Sequence, residues 1–336
     1  MGRDPELAGA ARDASHAPGV GQVTVEGVSD LRPGSVGFGG VSVRAHRVRV
    51  PLLVPLGGQS FREATLVEGP AGWGEFSPLP GYPCDPRQCE EAVREAVFVA
   101  WPSPVRAEVP VNALVPAVDA DTAARLATEA AAAGMTTVKV KVGGGPLAED
   151  ADRVAAVRAA LGPAGRIRLD ANGAWDVDTA VAAIERLAGF DLELVEQPVA
   201  DLGDLARVRR RVTVPVAADE SLRSLGDARR LAALDAADAV VVKVQPLGGV
   251  RAALRVIEAA GVPAVVSSLY ETSVGLSAGL ALAAALPELP FACGLGTGAL
   301  LAGDVVADPL VPEGGMLSVR RPEPDPALLA RWEIKA

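Results

Sequence analysis

At 336 residues the chain is too long for one small domain and suits a barrel with a smaller partner. Hydrophobic residues make up 49% of it but aromatics only 4%, so a large core must be built from Ala, Val and Leu. A formal net charge of -10 argues against nucleic acid or an anionic membrane surface as a partner and leaves small molecules.

Residues 1–30 read as a disordered leader, because the first 22 are rich in Gly, Ala, Asp and Arg and lack the apolar stretch of a signal peptide. Residues 31–107 read as an α+β capping domain, with antiparallel strands at Val41–Val50, Ala64–Glu68 and Gly72–Glu75 and a helix over Asp85–Ala100. The Gly-containing segment Leu52–Arg62 fits either a loop folded over a substrate or an ordinary hairpin.

From 108 to 305 strands and helices alternate. Strands are predicted at Val109–Val118, Thr137–Val142, Arg166–Asp170, Leu192–Glu196, Val214–Asp219, Ala239–Val244, Pro263–Ser267 and Phe291–Gly294. Amphipathic helices lie between most of them, as at Glu149–Leu161, Asp178–Leu187, Leu225–Leu234 and Val250–Ala260, with Gly at several helix ends. Eight strands separated by helices fit an α/β barrel with short loops. A doubly wound sheet is the rival, but Gly143–Gly145 after the second strand is not a GxGxxG phosphate loop and reads as a turn. The Ala-rich stretch near 274–286 carries Gly and Ser and is too short to span a membrane. Residues 306–336 are Pro-rich, leave the βα pattern, and are expected to return to the cap.

Cys84, Cys89 and Cys293 form no even framework and no CxxC, which points to a reducing cytoplasm and away from a Cys-based metal site. His16 and His46 both lie near the N-terminus, so a Ser-His or Cys-His machine elsewhere would lack its base. Of 32 basic residues only four are Lys, at 139, 141, 243 and 335. Three of these interrupt apolar strand-like runs. Arg never gives up its proton in a protein, whereas a buried Lys can, so these lysines are the first candidates for acid-base chemistry.

Polar residues interrupt five successive barrel strands near their C-terminal ends: Lys139 and Lys141 in TVKVKV, Asp170 and Asn172 in RIRLDAN, Glu196 in LELVEQP, Asp219 and Glu220 in VPVAADES, and Lys243 in AVVVKVQP. From Lys141 to Asp170, Glu196, Asp219 and Lys243 the gaps are 29, 26, 23 and 24 residues, each about one βα unit. That spacing places them in a ring at the mouth where such barrels hold their active sites. Three acids on consecutive strands would repel without a cation and suit a hard, oxygen-seeking ion such as Mg2+. The alternative is that each caps a helix or pairs with an Arg. Lys141 and Lys243 flank the acids, and desolvation together with a neighbouring cation is expected to lower a Lys pKa toward neutrality. Lys139 shares a strand face with Lys141 and reads as a supporting charge. Arg168 fits contact with a metal ligand or substrate and equally an ordinary strand salt bridge. Ser267 and Ser268, with the Gly294–Gly296 loop, end the seventh and eighth strands and offer hydroxyls and backbone N–H groups to a substrate carboxylate, unless Ser268 caps a helix.

The motifs KxK, DAN, VEQP, ADES and VKVQP in this order resemble the enolase superfamily, muconate-lactonizing subgroup, over nearly the whole chain after about residue 38. The resemblance implies an α+β cap over a (β/α)7β modified TIM barrel. It implies a divalent metal, Mg2+ or alternatively Mn2+, on Asp170, Glu196 and Asp219, and acid-base lysines at Lys141 and Lys243. Within the subgroup, GWGEFSPLPGY (Gly72–Tyr82) and SSLYETSVG (Ser267–Gly275) are similar to the o-succinylbenzoate synthases of menaquinone biosynthesis, actinobacterial type. That likeness implies dehydration of 2-succinyl-6-hydroxy-2,4-cyclohexadiene-1-carboxylate, with Lys141 moving the proton and Lys243 supplying positive charge. Racemisation of N-succinyl amino acids and dipeptide epimerisation are the alternatives on the same fold, although CGLGTG (Cys293–Gly298) lacks the acidic DxD-type signature usual in the epimerases. A non-catalytic barrel is the alternative outside the class. It predicts missing lysines or acids, and none is missing.

Overall fold

The computed structural model describes residues 34–38, 41–56 and 59–334, and the expected leader lies outside them. Strands β1 (Gly34–Phe38), β2 (Val41–Leu56), β3 (Gln59–Gly69) and β4 (Gly72–Phe76) form an antiparallel sheet in that order. Helix α1 (Pro86–Phe98) starts where the Asp85 side chain accepts the Arg87 N–H, with Pro86 at the position where a missing N–H costs nothing. One sheet face buries Val43, Ala45, Val67 and Phe76 against Cys89, Val93 and Val97 of α1. The other buries Val48, Val50, Ala64 and Leu66 against Val274, Val305 and Leu329, which come from far along the chain. Leu52–Arg62 is a hairpin between β2 and β3, with Leu56 opposite Gln59.

The remaining elements are β5 (Glu108–Pro110), β6 (Ala113–Val115), α2 (Ala120–Ala132), β7 (Thr137–Lys141), α3 (Leu147–Leu161), β8 (Arg166–Asp170), α4 (Val177–Leu187), β9 (Leu192–Glu196), α5 (Leu202–Arg209), β10 (Val216–Ala218), α6 (Leu225–Leu234), β11 (Ala239–Lys243), α7 (Val250–Ala260), β12 (Ala264–Ser267), α8 (Ser273–Ala285), β13 (Met316–Ser318) and α9 (Pro326–Trp332). Strands β6 to β12 form one sheet in sequence order, every neighbouring pair parallel. Side-chain caps start the helices: Asp119, Asp176, Asp201, Ser224 and Thr272 each accept a backbone N–H of the first turn. The outer face of the sheet packs on the helices through Val, Leu and Ala, and the interior is filled by Leu194, Ala217, Ala239, Val241 and Val265. Each Val or Leu so buried is worth about 1.5–3 kcal/mol, which is how a chain poor in aromatics holds a barrel.

Two strand predictions change. Val109–Val118 divides: β5 pairs antiparallel with β13, and only β6 joins the barrel. Pro110 and Pro116 bracket the β6 segment and carry no N–H for a ladder. The expected strand Phe291–Gly294 closes the barrel without a ladder of its own. Cys293 N–H donates to Pro110 O at 2.7 Å on one edge, and Gly294 N–H to Val266 O at 2.8 Å on the other. At Gly294 a Cβ would stand 2.5 Å from Ser267 Oγ, so the closure needs glycine. The Gly143–Gly145 turn is closed by Asp150, whose carboxylate accepts Gly143 N–H at 2.8 Å. At the C-terminal end α9 lies on β2, where Ile334 N–H donates to Arg47 O at 2.8 Å. Among the described residues no helix is long and apolar enough to cross a membrane.

Candidate active site

Strand alternation sends Lys139, Lys141, Asp170, Glu196, Asp219 and Lys243 into the barrel mouth, where their charges meet. Lys139 Nζ sits between two acids, 2.8 Å from Asp170 Oδ2 and 3.0 Å from Glu196 Oε1. Lys141 Nζ lies 2.7 Å from Asp170 Oδ2 and donates to Asn172 Oδ1 at 2.7 Å. Lys243 Nζ contacts both carboxylate oxygens of Asp219. Asn172, in the left-handed region at φ 47°, passes the network on by donating to Glu220 Oε1 at 2.8 Å. Lys141 on β7 and Lys243 on β11 thus flank the acids of β8, β9 and β10.

The electrostatics follow from burial competing with partners. Burial pushes the Glu196 carboxyl up, the Asp170 charge pushes it further, and it rests at about 8 despite Lys139. Burial also pushes Asp170 up, but Lys139 and Lys141 outweigh it and hold that carboxylate below its ordinary range. Lys243 does not move toward neutrality as expected. Burial pushes it down, yet Asp219, Glu196 and Glu220 push it up more, and the ammonium stays charged. Lys139 behaves alike, with Asp170 and Glu196 as its partners. Desolvation lowers a lysine only where no carboxylate answers it.

Asp170, Glu196 and Asp219 do not close on one point by themselves, and among the described residues no group of His, Cys, Asp or Glu side chains forms a ready metal cage. The ammonium groups lie between the acids and neutralise them. The donor set nonetheless fits a hard divalent cation: three carboxylates, each at most 2% exposed, with one held protonated near neutrality by its like-charged neighbours.

These groups open onto a cavity of about 650 Å3. Lys139, Lys141, Asp170, Asn172, Asp219, Glu220 and Lys243 line it, and Glu196 lies behind them. Ser267, Ser268, Gly294 and Gly296 line the opposite wall. Ser268 does not cap a helix, since Thr272 caps α8; its hydroxyl reaches Thr297 Oγ1 at 2.7 Å and Gly294 O at 3.0 Å. The Gly294 N–H cannot meet a ligand as expected, because the barrel closure already uses it.

Arg168 touches neither an expected metal ligand nor the cavity. It is 1% exposed in the barrel interior, where its Nε meets Glu193 and its Nη1 donates to Ala292 O at 2.7 Å. The strand salt bridge is the outcome, made possible by a register shift between β8 and β9 at Ile167/Arg168.

Several contributors escaped sequence reasoning. No described residue of Leu52–Arg62 lines the cavity; Leu79–Tyr82 does. Tyr82 Oη donates to Asp219 Oδ1 at 2.8 Å, and Lys243 Nζ lies 4.4 Å from the centre of its ring. Gln197 accepts the backbone N–H of Asp219 at 2.7 Å and fixes the end of β10. A buried latch joins cap to barrel. Ser77 N–H donates to Gln245 Oε1 at 3.0 Å, two residues beyond Lys243, and Arg62 donates to Ser77 O at 2.5 Å and Tyr270 O at 3.4 Å. Only the GWGEFSPLPGY likeness hinted at this wall.

The chain matches two family descriptions, an enolase N-terminal domain-like unit over residues 47–100 and an enolase C-terminal domain-like unit over 122–324. It is 57% identical over 290 residues to an o-succinylbenzoate synthase of Thermobifida fusca, covering 85% of this chain and 90% of the relative. An o-succinylbenzoate synthase of Mycolicibacterium smegmatis is 46% identical over 85% of this chain and 89% of its own length. Among solved structures, muconate lactonizing enzyme from Pseudomonas fluorescens superposes with a TM-score of 0.79 at 22% identity, over 87% of this chain and 98% of that one, a likeness of fold. The alternating parallel barrel, the strand-end lysines and acids, and these matches together place the chain in the enolase superfamily.

Proposed function

We propose that the chain is an o-succinylbenzoate synthase, a metal-dependent hydro-lyase that dehydrates 2-succinyl-6-hydroxy-2,4-cyclohexadiene-1-carboxylate to 2-succinylbenzoate. The observation that carries this reading is the cavity wall on which Lys141 and Lys243 flank Asp170 and Asp219. The names of the relatives at 57% and 46% identity support it. Asp170, Glu196 and Asp219 would hold Mg2+, or Mn2+ in its place, and the ion would supply positive charge to the substrate carboxylate as its alpha proton leaves.

Lys141 takes the alpha proton. At 26% side-chain exposure it is the more open of the two flanking lysines, and its neighbour Asn172 can hold the ammonium once the proton arrives. The same ammonium returns a proton to the leaving hydroxide, and aromatisation of the ring drives the loss of water. Lys243, at 7% exposure, stays charged and stabilises the enediolate by its field. Ser267, Ser268 and Thr297 present hydroxyls to the succinyl carboxylate. Residues 31–107 with 306–336 act as the cap and 108–305 as the barrel. The three free thiols fit a cytoplasmic enzyme.

Lysine-to-arginine exchange tests the reading, because Arg imitates a fixed charge but never a base. Lys243→Arg is expected to keep measurable loss of the cyclohexadiene absorbance, while Lys141→Arg falls by about 10²–10⁴-fold, the share of general acid-base catalysis. A racemase needs both lysines mobile. Equal and complete loss in both variants, with wild-type deuterium exchange into N-succinyl amino acids faster than dehydration, would overturn the synthase in favour of the racemase.

A further inference from the structure

Beside the wall formed by Leu79–Tyr82, two cysteines far from the barrel motifs stand in contact. Cys84 Sγ and Cys89 Sγ are 2.7 Å apart. Cys84 is half-buried and directly precedes Asp85, the cap of α1, whereas Cys89 sits in the first turn of that helix and is fully buried. The helix start brings them together: Gln88 and Cys89 N–H groups turn back to Asp85 O at 2.9 and 3.4 Å, which folds the five-residue separation onto itself. Cys293 is buried alone in the barrel closure.

We propose that Cys84 and Cys89 form a reversible disulfide, a thiol-oxidation site at the foot of the active-site wall, whose closure holds Tyr82 over Lys243. The two thiols have unequal roles. Cys84 is reachable from solvent and lies at a helix N-terminus, a position that favours a thiolate. The Cys89 thiol, donating to it, pulls the Cys84 thiol below its ordinary value. Cys89, buried behind it, is positioned to resolve a mixed disulfide. Cys84 sulfur attacks one sulfur of a low-molecular-weight disulfide, and the first small thiol leaves carrying the Cys84 proton. Cys89 sulfur then attacks Cys84 sulfur, and the second small thiol leaves with the Cys89 proton. Two protein thiols are oxidised to one disulfide, and one small disulfide is reduced to two thiols.

The consequence runs through two residues of chain. Tyr82 N–H closes a turn onto Leu79 O at 3.1 Å, its hydroxyl bonds Asp219, and its ring covers Lys243. A substrate that reaches Lys243 must move this ring. Tying residue 84 covalently to α1, which is packed on the cap sheet through Cys89, Val93 and Val97, removes freedom from the segment that must move. Immobilising one such side chain changes apparent affinity by about fivefold.

The test uses the whole enzyme, reduced and then incubated with oxidised glutathione. After denaturing alkylation, the oxidised wild type is expected to show one thiol in place of three, no glutathione adduct, and a linked peptide joining residues 84 and 89. Cys89→Ser should trap a glutathione adduct at Cys84, and Cys84→Ser should react with nothing. The KM for the cyclohexadiene substrate should rise by about fivefold on oxidation and return with dithiothreitol. Three thiols remaining in the wild type, or an adduct that persists at Cys84, would overturn the disulfide. A cross-linked enzyme with unchanged KM would overturn its hold on Tyr82. Only the kinetic arm rests on the cavity being the dehydratase site; the mass measurements stand apart from it, so the two readings fail separately.

Discussion

Replacing Lys243 with Met tests whether its ammonium stands as counter-charge to Asp219. Lys243 and Asp219 are 7% and 2% exposed in their side chains, so the pair is buried. In the variant the Asp219 carboxylate keeps the Tyr82 hydroxyl at 2.8 Å but loses its cation. Removing one partner of a buried ion pair costs about 3–5 kcal/mol. At about 2 °C per kcal/mol for a chain of this size, the melting temperature in chelated buffer should fall by about 6–10 °C. Saturating Mg2+ offers Asp219 a new counter-charge and should return most of that loss. In the wild type the same cation must compete with Lys243 for Asp219, so its stabilisation should be several degrees smaller. Thermal melts of both proteins, with chelator and with Mg2+, read the difference directly. Equal metal-induced shifts in the two proteins, or a metal-free variant melting within about 1 °C of the wild type, would refute the buried-pair reasoning.

Ser268→Ala removes the hydroxyl that meets Thr297 and Gly294, and should raise KM by about fivefold, near 1 kcal/mol for one hydrogen bond, with an unchanged melting temperature. Ser267→Ala should do less, because its hydroxyl stands 3.5 Å from Gly294 O; unchanged KM in both variants would remove these serines from substrate binding. Glu75 is fully buried in the cap–barrel latch, and burial raises its carboxyl to about 7 from an ordinary 4.5. A raised folded pKa means the folded state holds the proton more tightly, so this stabilisation is complete below the unfolded value and is lost as pH rises through about 7, a swing of about 3 kcal/mol. Denaturant unfolding on both sides of that window should show a steeper loss in the wild type than in Glu75→Gln, and parallel curves would refute the assignment.

The barrel was legible because a βα unit converts sequence distance into position on a ring. Arg166–Asp170 and Leu192–Glu196 fall where apolar alternation put them, and Leu225–Leu234 and Val250–Ala260 run between periodic signals that a single chain displays. The same spacing, with the scarcity of lysine, singled out the polar residues at the strand ends. The closing segment at Cys293–Gly294 gave a weaker trace, since it pairs by single bridges to two edges and never builds a ladder.

Partner choice needed the tertiary structure. Alternation says that Lys139, Arg168 and Asp170 point inward, but not that Lys139 lodges between Asp170 and Glu196 while Arg168 turns to Glu193. That depends on depth along the barrel axis and on one register shift. Protonation was likewise undecidable from the chain, because the balance of burial against carboxylate neighbours raises Lys243 where burial alone would lower it. The cavity's second wall comes from residues more than 130 positions from Asp219, carried there by a cap whose sheet also rests on α9 at the far end of the chain. Local patterns record which face of a strand or helix is apolar; which distant face it meets, and which charge it finds there, is fixed only when the chain closes on itself.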